Sequence, residues 1–270
     1  MQGKGFEPAI TGKKYGFSPV EQLFFIFYIN NYYPPKTLQT QDFGRKLFKQ
    51  IFKFNYVIKD IKTIILGGFN GNCYLLKTDR GFILIDTGGT SKKRKLEQEL
   101  VSGGCKPGNL DLIILTHGDF DHTGNCAHLR EKYDTKIAMH QYDIGMVEYG
   151  DMFWNRQTGN TLLKKLINLV FNIRRFKPDF ELDEQSDLSK YGLNAKVLYL
   201  PGHSKGSIGI LTSDKNLFCG DLFANRKKPG PNSLADNINE LNESVEKVKR
   251  LDINTVYPGH GKPFQMSSYK

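Results

Sequence analysis

An apolar run that ends in a crowd of imidazoles and carboxylates is the feature that most constrains this fold. Leu110 to Leu115 holds five apolar residues in six, and Thr116-His117-Gly118-Asp119-Phe120-Asp121-His122 follows at once. Such an apolar run is typical of a strand buried in a sheet, so the polar side chains behind it are expected at the edge of that sheet. The chain is therefore predicted to be an α/β protein that presents charge at the end of a buried strand.

Short strands and helices are predicted along the chain from residue 61 onward. The predicted strands are 61–66, 72–78, 82–86, a strand ending at 116, 136–140, 196–200, 207–212, 216–219 and 255–257. The predicted helices are 91–101, 126–133, one through 162–170 at helical spacing, and 234–251. Because strands come in runs as well as alternating with helices, a layered α/β body with mixed sheets is favoured.

Residues 1–59 are interpreted as a separate N-terminal helical extension. They carry nine Lys or Arg against three acidic residues, whereas the rest of the chain has 29 basic and 25 acidic residues. One helix is predicted to begin at Ser18-Pro19, and a second, cationic and amphipathic, to run through Phe43 to Phe52. Packing of both helices on the body or on a second subunit is favoured over peripheral membrane contact, since burial within protein is the commoner fate of this pattern.

Neither a membrane span nor a secretory signal is predicted. The apolar stretch Leu23 to Ile29 has seven residues, whereas a bilayer span needs about 20. Pro34-Pro35 follows it, in place of a small-residue cleavage site. The cysteines form no closely spaced pair, which predicts free thiols in a reducing compartment and a cytoplasmic protein: Cys73, Cys105, Cys126 and Cys219.

Further polar residues stand beside glycines just after predicted strands. His203 lies in Pro201 to Ser204, Asp221 follows Gly220, and His260 lies between Gly259 and Gly261. Glycine lets a backbone turn tightly or approach another group closely, so these segments are predicted to converge on one site. Imidazole and carboxylate together favour Zn, Fe or Mn over Ca or Mg. The candidate donors are too many for one tetrahedral ion and suit two ions with a bridging carboxylate: His117, Asp119, Asp121, His122, His203, Asp221 and His260.

The order of these segments resembles the metallo-β-lactamase superfamily. Five motifs match in order over about residues 60–264: Ile85 to Gly88, Thr116 to Gly124, Pro201 to Ser204, Gly220-Asp221 and Pro258 to Gly261. The resemblance implies that residues 60–270 form a four-layer αββα sandwich of two mixed sheets, with helices outside and a two-metal site at one edge. It also implies roles for the donors: His117 and His203 on one ion, Asp121, His122 and His260 on the other, Asp221 bridging them, and Asp86 orienting a ligand histidine from behind.

Asp119 stands where the HxHxDH motif of the family has its second histidine. In one interpretation Asp119 binds the first ion, which resembles the HxExDH arrangement of the iron-binding flavodiiron branch. In the other, its side chain is too short and that ion is weakly held or absent. The first is favoured because a buried carboxylate is stabilised beside a cation and costly without one. Two divalent ions are expected, zinc first, with iron or manganese as alternatives.

The resemblance implies hydrolysis by a hydroxide that bridges two metal ions. The expected substrate is a small ester, thioester, lactone or amide, with a phosphodiesterase or a di-iron redox site related to flavodiiron proteins as alternatives. Asp121 is the candidate to carry a proton to the leaving group. The segment 141–177 is a candidate for substrate contacts, with packing in the core as the competing interpretation. Asn225 and Arg226 are further candidates, with a solvated loop as the competing interpretation. A small-molecule partner is expected, no specific nucleic acid is expected, and a homo-oligomer stays open.

Overall fold

The computed structural model describes residues 58–156, 161–171 and 173–269, so the predicted N-terminal helical extension lies outside the described residues. Its strands are β1 Asp60–Ile64, β2 Cys73–Lys77, β3 Phe82–Ile85, β4 Leu110–Ile114, β5 Lys136–Met139, β6 Phe180–Glu181, β7 Ala195–Tyr199, β8 Ile208–Thr212, β9 Asn216–Asn225, β10 Gly230–Pro231, β11 Thr255–Gly261 and β12 Phe264–Gln265. Its α-helices are α1 Lys93–Ser102, α2 Phe120–Thr123, α3 Cys126–Tyr133, α4 Ile144–Tyr149, α5 Thr161–Val170 and α6 Ile238–Lys249. Short 3₁₀ turns cover Thr90–Lys92, Gln141–Asp143, Ser189–Tyr191 and Met266–Ser268.

The strands form two mixed sheets. The first sheet has the order β1-β2-β3-β4-β5-β6, antiparallel from β1 to β3 and parallel from β3 to β6. The second sheet has the order β12-β11-β9-β8-β7, with β11 and β9 parallel and β10 paired to β9. Because β3, β4 and β5 run parallel, their carboxyl ends lie at one edge of the first sheet, where the loop that follows β4 carries the polar residues.

Side-chain alternation along the strands creates three apolar layers. On β3, Ile83 and Ile85 belong to a cluster that includes Val197, Ile210 and Phe218 from the second sheet, so this cluster fills the space between the sheets. The alternate residues of the first sheet pack against α1 and α3, and the outer face of the second sheet packs against α6. Helix, sheet, sheet and helix follow one another. The αββα sandwich is confirmed.

Several predicted element bounds are wrong at their ends. The strand predicted at 216–219 continues to Asn225, and the strand predicted at 255–257 continues to Gly261. Asp221 and His260 therefore lie within strands and not beyond them. The long helix begins at Ile238 and not at residue 234, because the Asn237 side chain accepts hydrogen bonds from Asn239 N and Glu240 N.

The prediction of free thiols is confirmed, since all four cysteines are unpaired and buried. Among the helices in the described part of the chain, none combines the length and the apolar character that crossing a bilayer requires.

Candidate metal centre

The loop after β4 leads directly into the short helix α2. Asp119 is the residue before this helix, in an extended conformation with φ −67° and ψ 145°, and its side chain makes no capping hydrogen bond. An aspartate at this position commonly caps the helix with its side chain. Because Asp119 does not, its carboxylate is available for other partners. The first turn of α2 then places Asp121 and His122 side by side in the interior.

The second sheet brings the remaining donors to the same place by close backbone approach. A Cβ at Gly259 would lie 1.9 Å from Asp221 Oδ1, so only glycine lets β11 pass this carboxylate. Gly202 has φ +127°, and a Cβ there would lie 2.2 Å from Leu241 N on α6. Each of these glycines precedes one of the predicted histidine donors, His260 and His203. The glycines noted in the sequence thus mark real close approaches.

The structure brings six of the predicted donors into two buried groups. One group is His117, His203 and Asp221, and the other is Asp121, His122 and His260; within each group the donor atoms all lie within 4.8 Å of one another. Each group draws on both sheets, because His117, Asp121 and His122 follow β4 whereas His203, Asp221 and His260 belong to the second half of the chain. Asp221 also lies 3.3 Å from His122 Nε2 and 3.4 Å from His260 Nε2, which places it between the two groups.

The spacing between donor atoms fits metal coordination. Two ligands about 2.0–2.1 Å from one tetrahedral ion lie roughly 3.3–3.4 Å apart. The Nε2 atoms of the histidines lie at comparable distances from carboxylate oxygens: His122 3.7 Å from Asp121, His260 3.3 Å from Asp121, His203 3.6 Å from Asp221, His203 3.1 Å from Asp119 and His117 3.6 Å from Asp119. In the described residues, the buried Nε2 atoms of His117 and His122 make no hydrogen bond. The donors fit a pair of cations.

Hydrogen bonds on the far side of three rings fix which nitrogen faces the centre. His203 Nδ1 lies 2.6 Å from the carbonyl oxygen of Leu234, and His122 Nδ1 lies 2.8 Å from Asp86 Oδ2. Both partners can only accept, so each Nδ1 carries a hydrogen and each Nε2 is the nitrogen that is directed at a bound ion. The Oγ1 hydroxyl of Thr116 donates to Asp86 Oδ2 at 2.8 Å, so it accepts from His117 Nδ1 at 3.0 Å.

The buried acids and imidazoles stabilise one another's charged forms. Burial lowers the pKa of His203, but the negative charge of Asp221 and the contact with Asp119 outweigh it and raise this pKa to about 9. Burial likewise raises the pKa of Asp221, yet His122 and His203 hold it well below its usual range. The site is thus a buried anionic pocket that demands positive charge, which bound cations supply.

Asp119 meets both the first donor group and an arginine that the sequence analysis missed. Its Oδ2 faces His203 and His117, as given above, while its Oδ1 lies 2.7 Å from Arg156 Nη1. Arg156 Nη2 donates to Asp119 Oδ2 at 3.1 Å, and Arg156 Nε donates to Asp236 Oδ2 at 2.7 Å. Burial would raise the pKa of Asp119, but Arg156 and the two histidines hold it well below its usual range. No spacing rule links residues 119 and 156, so only the fold reveals this pair.

Asp143 is a second residue that the sequence analysis missed. Fully buried, it accepts hydrogen bonds from Gly118 N at 2.9 Å, Gly206 N at 2.7 Å and Ser204 Oγ at 2.5 Å. It thereby ties the loop that carries His117 to the turn that follows His203. One sequence feature could have indicated Asp143: it follows the predicted strand 136–140 closely, as the other acids follow theirs.

The predicted substrate residues differ in exposure. Asn225 donates from Nδ2 to Lys262 O at 2.9 Å, and Arg226 is exposed. In the segment 141–177, Met146 is buried beneath Gly118, whereas Tyr149 and Trp154 stack on each other at 4.3 Å and stay exposed. This segment reaches the centre through Arg156.

Comparisons with known proteins agree with this geometry. The family model described as "Metallo-beta-lactamase superfamily" matches residues 66–260. A probable metallo-hydrolase of Methanocaldococcus jannaschii is 30% identical over 199 residues, which cover 72% of this chain and 89% of that protein. The hydroxyacylglutathione hydrolase GloC of Haemophilus influenzae is 27% identical over 170 residues, which cover 61% of this chain and 72% of that protein.

Two solved structures extend the comparison. The crystal structure of TTHA1623 in a di-iron-bound form has 29% sequence identity and a TM-score of 0.60, covering 76% of this chain and 95% of that one. The BLEG-1 B3 metallo-beta-lactamase has a TM-score of 0.61 at 22% identity over 77% of this chain and 95% of that one, a likeness of fold alone. The chain belongs to the metallo-β-lactamase superfamily. It is a metal-dependent hydrolase with that fold.

Proposed function

We propose that the protein hydrolyses a small acyl compound, an ester, thioester, lactone or amide, and that a thioester is its first substrate class. The observation that carries the proposal is the pair of buried donor groups, each drawn from both sheets and each compact enough to hold one cation. Zinc is the first choice of metal, because two imidazoles with carboxylate oxygens at each ion form a typical zinc donor set. Iron is the alternative that the di-iron-bound structure of TTHA1623 supports.

Within this proposal, His117, Asp119 and His203 would hold one ion, Asp121, His122 and His260 the other, and Asp221 both. Two such ions, when bound, supply an activated water and withdraw charge from the carbonyl oxygen of the substrate. The chain itself sets the geometry, since Asp86, Thr116 and the Leu234 carbonyl keep the histidine Nε2 atoms directed inward.

Asp121 is the carboxylate best placed to carry a proton to the leaving group. Its side chain is 13% exposed, compared with 10% for Asp119 and 6% for Asp221. A carboxylic acid is a modest proton donor for an amine or an alkoxide, but a thiolate with a pKa of about 8.5 leaves with little help. This chemistry favours a thioester over an amide. The hydroxyacylglutathione hydrolase among the relatives supports the same substrate class.

The exposed stack of Tyr149 and Trp154 is the proposed contact for the acyl or leaving group. It precedes Arg156, which reaches the centre, so the aromatic pair belongs to the segment that lies beside the donors. The four buried thiols agree with a reducing compartment, and we propose a cytoplasmic location on that ground.

The proposal is tested with purified full-length protein, stripped of metal and reloaded with zinc or iron. A 2-hydroxyacyl thioester of glutathione, a short alkyl thioester, a nitrophenyl ester, a lactone and bis-nitrophenyl phosphate form the substrate panel. We expect metal-dependent thioester hydrolysis that a chelator abolishes and fresh metal restores. Asp121→Asn should lower the rate more for the lactone, whose leaving group is an alkoxide, than for the thioesters. Cleavage of the phosphate diester alone would replace this proposal with a phosphodiesterase.

A further inference from the structure

Arg156 lies buried between two carboxylates at the edge of the metal centre. Its side chain is 7% exposed, and its guanidinium contacts Asp119 through both Nη atoms and Asp236 through Nε. This forked contact with Asp119 fixes a full positive charge directly behind the donor that faces His117 and His203. The arginine is too enclosed to serve as a surface anchor for substrate.

The same region also supports two other donors. Asn232 Nδ2 donates to Asp221 Oδ2 at 2.8 Å, and the Leu234 carbonyl accepts from His203 Nδ1. Asp236 N donates to the carbonyl oxygen of His203 at 3.3 Å, while the Asp236 carboxylate holds Arg156. The loop from Asn232 to Asp236 thus contacts Asp221 and His203 directly and Asp119 through Arg156.

The charge of the pair distinguishes this arginine from an ordinary structural one. Asp119 stands at a motif position where a histidine would be a neutral ligand, so it adds one negative charge to the donor set. The Arg156 guanidinium adds one positive charge 2.7 Å from the outer oxygen of the same carboxylate. Together these two side chains sum to zero charge, as a neutral imidazole does. The second carboxylate, Asp236, lies on the Nε side of Arg156 and is 30% exposed, so water screens its charge more than that of Asp119, which is 10% exposed.

We propose that Arg156 is a positioning residue that balances the charge of Asp119, so that the pair acts as a neutral ligand in the His117 and His203 half of the centre. Arg156 consequently weakens the binding of a cation at this half relative to Asp119 alone. The half formed by Asp121, His122 and His260 therefore fills first. This inference rests on the proposed metal centre and adds to it an order of metal binding.

The test is titration of metal-free protein with Co²⁺, followed by its absorption bands and by competition with a chromogenic chelator. Arg156→Gln removes the charge, and we expect the weaker of the two sites to bind at least about tenfold more tightly, because a buried cation beside a ligand repels the ion strongly. Arg156→Lys keeps the charge without the fork and should stay within about threefold of the wild type. Weaker or unchanged binding in Arg156→Gln would overturn the proposal, as would equal tightening in Arg156→Lys.

A matched control and a double-mutant cycle separate charge balance from folding. Arg174→Gln removes an arginine whose side chain is 62% exposed and paired with Glu131, and it should leave both affinities unchanged. Asp119→His should weaken the same site at least about tenfold, because Arg156 then keeps its positive charge beside the ion with Asp236 as its remaining carboxylate partner, and Asp119→His with Arg156→Gln should restore it. Purely additive effects contradict the pairing.

The titration also distinguishes this inference from the proposed function, because it needs no turnover. A wild-type protein that binds no ion would remove the metal centre itself. Two bound ions with affinities that do not respond to Arg156 would remove only the charge-balancing role.

Discussion

Asp86 shows how a single residue of the centre is held in an unfavourable backbone conformation. Its φ is +57°, in the left-handed region that costs a non-glycine residue about 1 kcal/mol or more. Its carboxylate accepts hydrogen bonds from Thr116 N, Thr116 Oγ1 and His122 Nδ1, each at 2.8 Å. These three bonds offset the backbone cost and point the His122 ring at the centre.

Asp86→Asn tests this orienting role. The amide replaces one accepting oxygen by a donor, so either Thr116 or His122 loses its partner and the favoured His122 tautomer is no longer fixed. We expect the metal affinity of the Asp121, His122 and His260 group to fall by about 10–100-fold, measured by chelator competition. Asp252→Asn, which removes an exposed carboxylate paired with Lys215, is the control. Unchanged affinity in Asp86→Asn would rule out the role.

Gly259→Ala tests the close approach of β11 to Asp221. The added Cβ would lie 1.9 Å from Asp221 Oδ1 and 2.9 Å from the backbone of Gly220, so the carboxylate must move. We expect a loss of about 1–3 kcal/mol in stability and of at least one bound ion per chain, measured by urea unfolding and elemental analysis. Gly230→Ala is the matched control, since no atom lies within 4 Å of a Cβ there. Equal metal content in both variants would contradict the prediction.

The sequence predicted these donors because each belongs to a short segment that contains a glycine and lies near a strand, a pattern that is visible among neighbouring residues. It could not predict Arg156 or Asp143, whose partners are distant in sequence and whose contacts exist only after the layers pack. Asp143 meets Gly118 and Gly206, 25 and 63 residues away. Such pairs have no period or spacing that a pattern could detect.

Strands β9 and β11 run further than their sequences predicted. Gly220 and Pro258-Gly259 predict the ends of the two strands, because both residue types interrupt regular pairing. In the structure Pro258 pairs with Gly220, and the parallel ladder continues to Gly261 opposite Asn225 through register shifts on either side of Pro258. Pairing between β9 and β11 therefore overrides the local signal, and the shifts aim Asp221 and His260 at one another.

The last residue of the 3₁₀ turn Gln141–Asp143 joins two loops, one that contains Gly118 and one that contains Gly206. Asp143→Ala would leave the buried Gly118 and Gly206 N–H groups without their acceptor. We expect a loss of about 2–5 kcal/mol of stability in urea unfolding. Asp183→Ala is the control, since this exposed carboxylate makes similar bonds to Gln185 N and Ser186 Oγ that water can replace. A loss no larger than that of the control would contradict the joining role.

The alternation of apolar residues along the strands is enough to predict the layers, but not how the two sheets meet. Ile83 and Ile85 face the second sheet while Leu84 faces the helices. An apolar run in a strand predicts this burial on both faces. The contact between sheets near the centre depends on particular bonds, such as Ile208 N to Thr116 O at 2.9 Å and Asn72 Nδ2 to Gly261 O at 2.7 Å. The glycine-bounded polar segments and the motif order of the superfamily, and not periodicity, predicted that these edges coincide.

Because each donor group draws on both sheets, bound metal should stabilise the whole sandwich. An ion that binds the folded state stabilises it by about 2.7 kcal/mol when its free concentration is 100 times its Kd. In the metal-free protein, Asp121 and Asp221 both lie close to His260 without the positive charge of a bound ion, whereas Asp119 keeps Arg156 as its partner. We therefore expect a chelator to lower the midpoint of thermal unfolding by several degrees, and added zinc or iron to restore it, in calorimetry at fixed protein concentration.

The size of that shift should depend on donors from either sheet alike. His260→Ala removes a donor on β11, and His122→Ala removes one that follows β4, yet both belong to the same group. Each variant should lose a similar part of the metal-dependent stabilisation, because the ion needs both sheets in place. His128→Ala, which removes an imidazole paired with Glu97 on the surface, should retain the full shift. A chelator effect that survives His260→Ala unchanged but disappears in His122→Ala would mean that the ion is held by the first sheet alone.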